Sequence, residues 1–209
     1  MSLVLAFIVI AIAVRRTDWR ALRNDSDRIQ LALVATLILG SIWMLQTGIQ
    51  PGLTIHFLGL TTLTLCLGWR LAILCGTVAL VFVSLLGISA WNSFGVNLLL
   101  GVIWPVCFTY FIFLLTYSYL SRHLFIYTFI AGFFNAALTI AVSMLAFGLY
   151  AYFTHMHSWL IIVQDYLSIL PLVMFPEGLI NGMSLTALVM YRPEWVCTYS
   201  DRDYLCKKK

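Results

Sequence analysis

The chain has very little charge, and this scarcity decides its class. Only 10% of its 209 residues are charged, whereas 62% are hydrophobic, and the mean hydropathy is +0.98. Such a composition offers too little polar surface to cover a water-soluble globule of this length. The apolar runs are continuous and long, as a membrane-crossing helix requires, and do not alternate as barrel strands do. The sequence therefore predicts an all-α fold, a polytopic bundle of membrane helices.

Several chemical signatures are also missing. The chain has no Gly-Lys-Ser/Thr loop for nucleotide, no HExxH and no Ser-His-Asp arrangement, so it is not predicted to be an enzyme or to hydrolyse ATP itself. Its five cysteines include no CxxC pair, which argues against a sulfur-ligated zinc or redox site. No tightly bound cofactor is expected.

The hydrophobic pattern predicts one integral-membrane domain, 1–209, with seven crossings. Arg70 alone separates the third crossing from the fourth, which predicts a tight hairpin there. Pro171 and Pro176 interrupt the last apolar region, so 159–170 is interpreted as an outer re-entrant or interfacial piece. The predicted crossings are about 3–14, 29–47, 53–69, 71–86, 95–120, 124–153 and 172–191, and 192–209 forms a cytoplasmic tail.

The distribution of positive charge predicts the orientation. All twelve Lys and Arg residues fall in 15–28, at Arg70, at Arg122 or after Tyr191. Seven crossings with the amino terminus outside place all four regions in the cytoplasm, as the positive-inside rule requires. This topology explains the net charge of +4 without a nucleic-acid partner. The expected location is the cytoplasmic (inner) membrane of a bacterium, with the lipid bilayer as the chain's surroundings.

The same predicted topology places most of the potential metal ligands at the outer end. His56, His155, His157 and Asp165 fall there, and of the four histidines only His123 lies inside. Neutral imidazole suits nickel, cobalt, zinc and copper. A histidine at a helix end is more often an interfacial residue or part of a solvated loop than a ligand, so the pattern alone leaves metal binding open.

Polar residues within the apolar segments suggest contacts between helices. Glu177 lies several residues into a crossing, where a carboxylate is costly and usually faces a cavity or a partner; its place just after Pro176 also fits a helix amino terminus. Asn135 and Thr139 are expected to face other helices, because lipid would leave an amide unsatisfied.

Four motifs together resemble a known family. They are His56-Phe57-Leu58-Gly59, Gly95-Val96-Asn97, Glu177-Gly178-Leu179-Ile180 and Arg192-Pro193-Glu194. In this order they are similar to motifs of the cobalt and nickel energy-coupling-factor permeases, the CbiM/NikM membrane components. The resemblance covers about 53–195.

The resemblance implies a substrate-capture subunit that binds divalent cobalt or nickel from outside, with the metal as substrate. It also implies partners, namely a transmembrane coupling subunit and cytoplasmic ATPases. The small residues Gly178, Gly182, Ser184 and Ala187 are predicted to let such a partner approach closely.

The chain departs from the family in part of the site. The family begins Met-His-Ile-Pro-Asp-Gly and uses that amine and histidine as ligands, whereas this chain begins Met1-Ser2-Leu3-Val4. The outer loop Gly-Asp-Gly-Gly is replaced by Gly87-Ile88-Ser89-Ala90, and Leu100 stands where a second asparagine is expected.

We therefore expect His56 to be the anchor ligand, with His155, His157 or Asp165 in place of the lost amino-terminal ligands. Asn97 and Glu177 are expected to orient a ligand or to shape the cavity. Two other functions remain open at this stage: a structural or assembly subunit that kept the fold without the site, and a membrane haem or electron-transfer protein.

Overall fold

The computed structural model describes residues 2–50, 52–200 and 204. The described residues form a bundle of helices with one small β-hairpin. In chain order the elements are α1 (Ser2–Arg16), α2 (Trp19–Asn24), α3 (Ser26–Met44), β1 (Thr47–Gln50), β2 (Leu53–Ile55), α4 (Leu60–Leu85), α5 (Trp91–Tyr119), α6 (Leu124–Phe153) and α7 (Trp159–Tyr191). Five of them, α3 to α7, are long and apolar enough to cross a membrane. The predicted helical membrane bundle is confirmed.

The third predicted crossing, 53–69, differs from the expectation at its start. Residues Leu53–Ile55 form strand β2, which pairs antiparallel with β1, and helix α4 begins only at Leu60. The polar Gln-Thr-Gly run before Pro51 and the glycine after it favour a turn over a helix. Pro51 itself lies outside the described residues.

Helix α4 is folded back on itself at Gly68. The Gly68 backbone has φ of 80° and ψ of 160°, well outside helical values, and the left-handed φ favours glycine. The side chain of Leu60 lies against Gly76, although a straight helix would separate these residues by about 24 Å. The two arms, 60–67 and 69–85, therefore run antiparallel, and the predicted hairpin is confirmed.

The segment 159–170 is not a separate outer piece but the first part of α7, which is helical over 33 residues. Its hydrogen bonding changes to a π turn at Ile162–Tyr166 and a 3₁₀ turn at Leu167–Ile169, just before Pro171. Proline has no backbone N–H to donate, and the π and 3₁₀ turns change the hydrogen-bond spacing before it. The helix therefore continues through this region. The first part of α7 packs on Gly148 of α6.

Gly178 and Gly182 of α7 are used inside the chain. A side chain on either glycine would come within 3.0 Å of Phe133 in α6, so the glycines allow α7 to approach α6 closely. The prediction that they admit a partner helix is therefore wrong. Ser184 and Ala187 lie on the exposed face of α7.

A buried polar cluster ties α4, α5 and α6 together. Thr109 exchanges hydrogen bonds with Thr61 at 3.2 Å and with Thr139 at 3.0 Å. Asn135 donates to the Thr109 carbonyl at 3.0 Å, and both Asn135 and Thr139 are almost fully buried. The expectation that these two residues face other helices is confirmed.

The bundle has two chemically different ends. Helix α1 runs from Leu3, which packs on Gly95, to Arg16, whose carbonyl accepts a hydrogen bond from Arg70. We call the end with Arg16 and Arg70 the basic end; Arg28 and Arg70 line a cavity of about 260 Å³ there. The opposite end, which carries His56 and Asn97, is called the histidine end.

Candidate metal site

The segment that carries His56 links strand β2 to helix α4 and is held from several sides. Trp43 donates its indole N–H to the Leu58 carbonyl at 3.1 Å. The Leu58 and Gly59 amides donate to the Glu177 carboxylate at 2.9 and 2.8 Å. Gly59 has φ of 63°, which lets the chain turn into α4. The His-Phe-Leu-Gly motif is thus a fixed loop at the start of a helix.

Glu177 acts on this loop through main-chain amides. It is 1% exposed, and its Oε1 also accepts from the Asn181 side chain at 2.8 Å. Asn181 in turn accepts from the Thr62 amide at 2.9 Å. A carboxylate and an amide from α7 therefore satisfy the free N–H groups at the amino end of α4. Glu177 supports the position of His56 and does not line its cavity.

Sequence reasoning missed Asn181. It lies one helical turn after Glu177, on the same face of α7, and that spacing is the signal that could have identified it.

The orientation of the His56 ring follows from its hydrogen bond. Nδ1 lies 3.1 Å from the Phe57 carbonyl oxygen; because a carbonyl only accepts, Nδ1 carries the proton and Nε2 keeps a lone pair. The ring packs at 52° on Trp43, with the ring centres 5.4 Å apart. Burial lowers the pKa of His56, and the Phe57 bond offsets this only in part. The imidazole is therefore neutral at pH 7, the form that binds metal.

His56 opens onto a small, partly open space that we call the His56 cavity. Its volume is about 40 Å³, more than the roughly 10–15 Å³ that a cavity needs to hold one water molecule. Its polar lining comes from Gln46, Thr54, Ser89 and Asn97, and its apolar lining from Trp43, Leu80, Val83, Gly101, Val102 and Phe147. The cavity is large enough for one ion together with coordinating water.

The loop between α4 and α5 closes this cavity. Gln46 donates to the Ile88 carbonyl at 2.8 Å, and Asn97 donates to the Ser89 hydroxyl at 3.0 Å. The Ile88-Ser89 segment, which departs from the family pattern, therefore connects the two sides of the site. Asn97 lines the cavity, as expected for a residue that shapes it.

The other predicted ligands lie elsewhere at the histidine end. His155, exposed and with φ of 55°, lies two residues after the end of α6, and His157 is half-buried in the same turn region. Asp165 is exposed and accepts from Gln50 at 2.9 Å. None of the three lines the His56 cavity, and within the described part of the chain no three His, Cys, Asp or Glu residues form a metal-binding group. The expected four-residue ligand set is not brought together.

Gly95 allows the first helix to reach the edge of the site. A side chain at Gly95 would lie 2.7 Å from Leu3, so the start of α1 packs two residues away from Asn97. The amino-terminal helix thus reaches the histidine end, although its sequence lacks the histidine seen in the related motif.

Comparison with known proteins agrees with the resemblance. A family model described as cobalt uptake substrate-specific transmembrane region, CbiM, matches residues 1–195. Two solved structures share the fold. One, a truncated transition metal transporter, is 20% identical over 90% of both chains with a TM-score of 0.72; the other, a transition metal transporter, is 19% identical over 90% of this chain and 84% of that chain, with a TM-score of 0.71. No curated protein matches the sequence.

Proposed function

Because the chain belongs to the CbiM family of cobalt uptake substrate-specific transmembrane regions, we propose that it captures divalent cobalt or nickel in the His56 cavity. The supporting observation is the fixed, neutral imidazole of His56 on a cavity large enough for an ion. The histidine end faces the outside and the basic end faces the cytoplasm in this proposal, as the arginine distribution favours.

Energy for uphill uptake comes from partners in this proposal. The chain contains no nucleotide-binding loop, so a transmembrane coupling subunit and cytoplasmic ATPases supply ATP hydrolysis. The basic end offers them a cavity lined by Arg28, Arg70 and Asp18. Of the small residues on α7, Ser184 and Ala187 remain exposed for a close helix contact.

The test is metal binding by the purified protein. Wild type and His56→Ala are incubated with nickel or cobalt chloride, and bound metal is counted by mass spectrometry. We expect His56→Ala to lose the bound ion, since it removes the imidazole of the cavity. His155→Ala and Asp165→Ala should keep it, because their side chains lie outside the cavity lining. An unchanged stoichiometry in His56→Ala contradicts the proposal.

The second candidate is a structural or assembly subunit that keeps the fold without carrying metal. One observation favours it: the described residues contain no three-residue His, Cys, Asp or Glu group. A folded wild-type protein that binds neither nickel nor cobalt at micromolar concentration would support this function over metal capture.

A further inference from the structure

Gln46 is a polar residue of the His56 cavity that the sequence did not single out. It lies between α3 and β1, ten residues before His56 and outside the four motifs of the sequence analysis. Its side-chain nitrogen donates to the Ile88 carbonyl oxygen at 2.8 Å. A carbonyl oxygen cannot donate, so this bond fixes the amide orientation, with nitrogen toward Ile88.

The same bond defines what Gln46 can offer a ligand. With its nitrogen directed at Ile88, the Gln46 atom whose lone pairs can bind a cation is the carbonyl oxygen Oε1. Asn97 is less determined, because its partner Ser89 is a hydroxyl that can donate or accept. Gln46 Oε1 and His56 Nε2 are therefore the two lone-pair donors whose orientation the main chain fixes.

We propose that Gln46 Oε1 and His56 Nε2 together bind the transported divalent ion, in a site whose donors are all uncharged. This inference rests on the proposed function and specifies its ligands. Gln46 and His56 line the same cavity of about 40 Å³. An imidazole nitrogen with an amide oxygen suits cobalt or nickel better than monovalent copper, which prefers thiolate or thioether.

The absence of charge in the described lining has a mechanistic consequence. Metal affinity in oxygen-containing sites rises with the number of charged ligands, and the described lining of this cavity contains no Asp, Glu or Cys. An uncharged shell holds the ion without neutralising it. Such a site therefore releases the ion more readily for transport than a site built from carboxylates would.

Two substitutions at Gln46 separate metal ligation from loop anchoring. Gln46→Glu keeps the size and puts a charged oxygen at the same place, whereas Gln46→Met keeps the approximate shape and removes the oxygen. Both lose the N–H that bonds to Ile88. If Gln46 binds the ion, Gln46→Glu raises the affinity for nickel or cobalt about tenfold and Gln46→Met lowers it about tenfold or more.

Equal losses of affinity in both variants would overturn the assignment, because they would show that Gln46 only anchors the loop. No change in either variant would also overturn it, because Gln46 would then have no role in binding. Affinity is measured by titrating the purified proteins with cobalt chloride, and the visible spectrum of bound cobalt reports the ligands. Gln164→Glu is the matched control, since it makes the same change at an exposed position of α7 outside the cavity. It should leave both affinity and spectrum unchanged.

X-ray absorption of cobalt bound to the wild-type protein tests the same idea without substitution. We expect one imidazole, with oxygen donors for the rest; two or more imidazoles would overturn the proposal, because they require His155 or His157. If wild type binds no metal, the proposed function fails as a whole. If wild type binds metal through His56 but the Gln46 variants do not show the expected opposite changes in affinity, only the assignment of Gln46 as a ligand is wrong.

Discussion

At the scale of single residues, the important property is the protonation state of His56. Its Nδ1 proton is held by the Phe57 carbonyl, and burial keeps the ring uncharged by lowering its pKa below the ordinary value of 6.5. His56 is the single titratable group in the described lining of the cavity. The pH dependence of metal binding at this site should therefore reflect the protonation of one imidazole.

We predict that the loss of metal affinity on acidification has its midpoint below pH 6.5, the ordinary pKa of histidine. The sign follows from the lowered pKa: the neutral, ligating form persists at pH values that protonate an exposed histidine. Cobalt titrations at a series of pH values measure the midpoint of the loss. A midpoint above 6.5 would contradict the buried, neutral imidazole.

The same shift affects the stability of the metal-free protein. Below pH 6.5 the unfolded chain binds a proton at this histidine more readily than the folded chain does, so the fold loses some stability as pH falls toward the lowered pKa. Unfolding of the metal-free protein, measured at each pH, gives this effect separately from the loss of metal affinity.

Sequence reasoning could identify His56 and Asn97 because their motifs are local and contiguous. It could not identify Gln46, whose relevance depends on a contact with Ile88, 42 residues later. Sequence reasoning also groups His155, His157 and Asp165 with His56, only because all four are predicted at the same end of the bundle. A shared end of the bundle does not bring side chains within reach of one ion.

At the scale of elements, helix α7 and the segment after it hold the two ends of the first arm of α4. Glu177 and Asn181 bind the amides at its start. At its other end, the segment after α7 returns: the Cys197 amide donates to the Cys66 carbonyl at 3.0 Å, and Thr198 donates to the Leu65 carbonyl at 2.7 Å. A short arm that could not be stable alone is thereby fixed under the His56 loop.

We predict that Glu177→Gln lowers the stability of the protein by about 1–3 kcal/mol and weakens metal binding without changing its stoichiometry. The amide nitrogen of glutamine cannot accept the main-chain N–H groups that the carboxylate binds, so the His56 loop loses part of its support. Unfolding in detergent and cobalt titration measure the two effects.

Glu194→Gln is the control for that substitution. It makes the same chemical change on a carboxylate that is 56% exposed and lies 3.4 Å from Arg192, where an ion pair contributes little. Equal stability of the two variants would show that Glu177 does not support the loop.

The hairpin at Gly68 shows what local sequence can and cannot predict for an element. Arg70 within an apolar run indicates a return to the membrane surface, and this is sufficient to predict the turn. The strand at Leu53–Ile55 is not predictable in the same way, because its apolar residues resemble the start of a crossing. Likewise Pro171 predicts a helix end, although π and 3₁₀ turns just before it let the helix continue.

At the scale of the whole molecule, the histidine end and the basic end lie at opposite ends of the bundle. This separation was predictable, since it depends only on the number of crossings and on the positions of arginine and lysine. Which end faces the cytoplasm stays a prediction.

We predict that the histidine end is outside, and cysteine labelling can test it. Ser93, exposed just before Gly95, is changed to cysteine in a variant without the native cysteines. An impermeant maleimide should label Ser93→Cys on intact cells. A second variant that keeps only Cys197, exposed at the basic end, should react only after the membrane is permeabilised. The reverse pattern would contradict the orientation.

The chemistry of the His56 cavity also bears on which ions the proposed site would favour. Magnesium gives up its hydration shell reluctantly and is usually bound through one or two carboxylates. The described lining of the cavity contains no carboxylate and offers an imidazole with amide and hydroxyl groups. The proposed site would therefore discriminate against magnesium by ligand type.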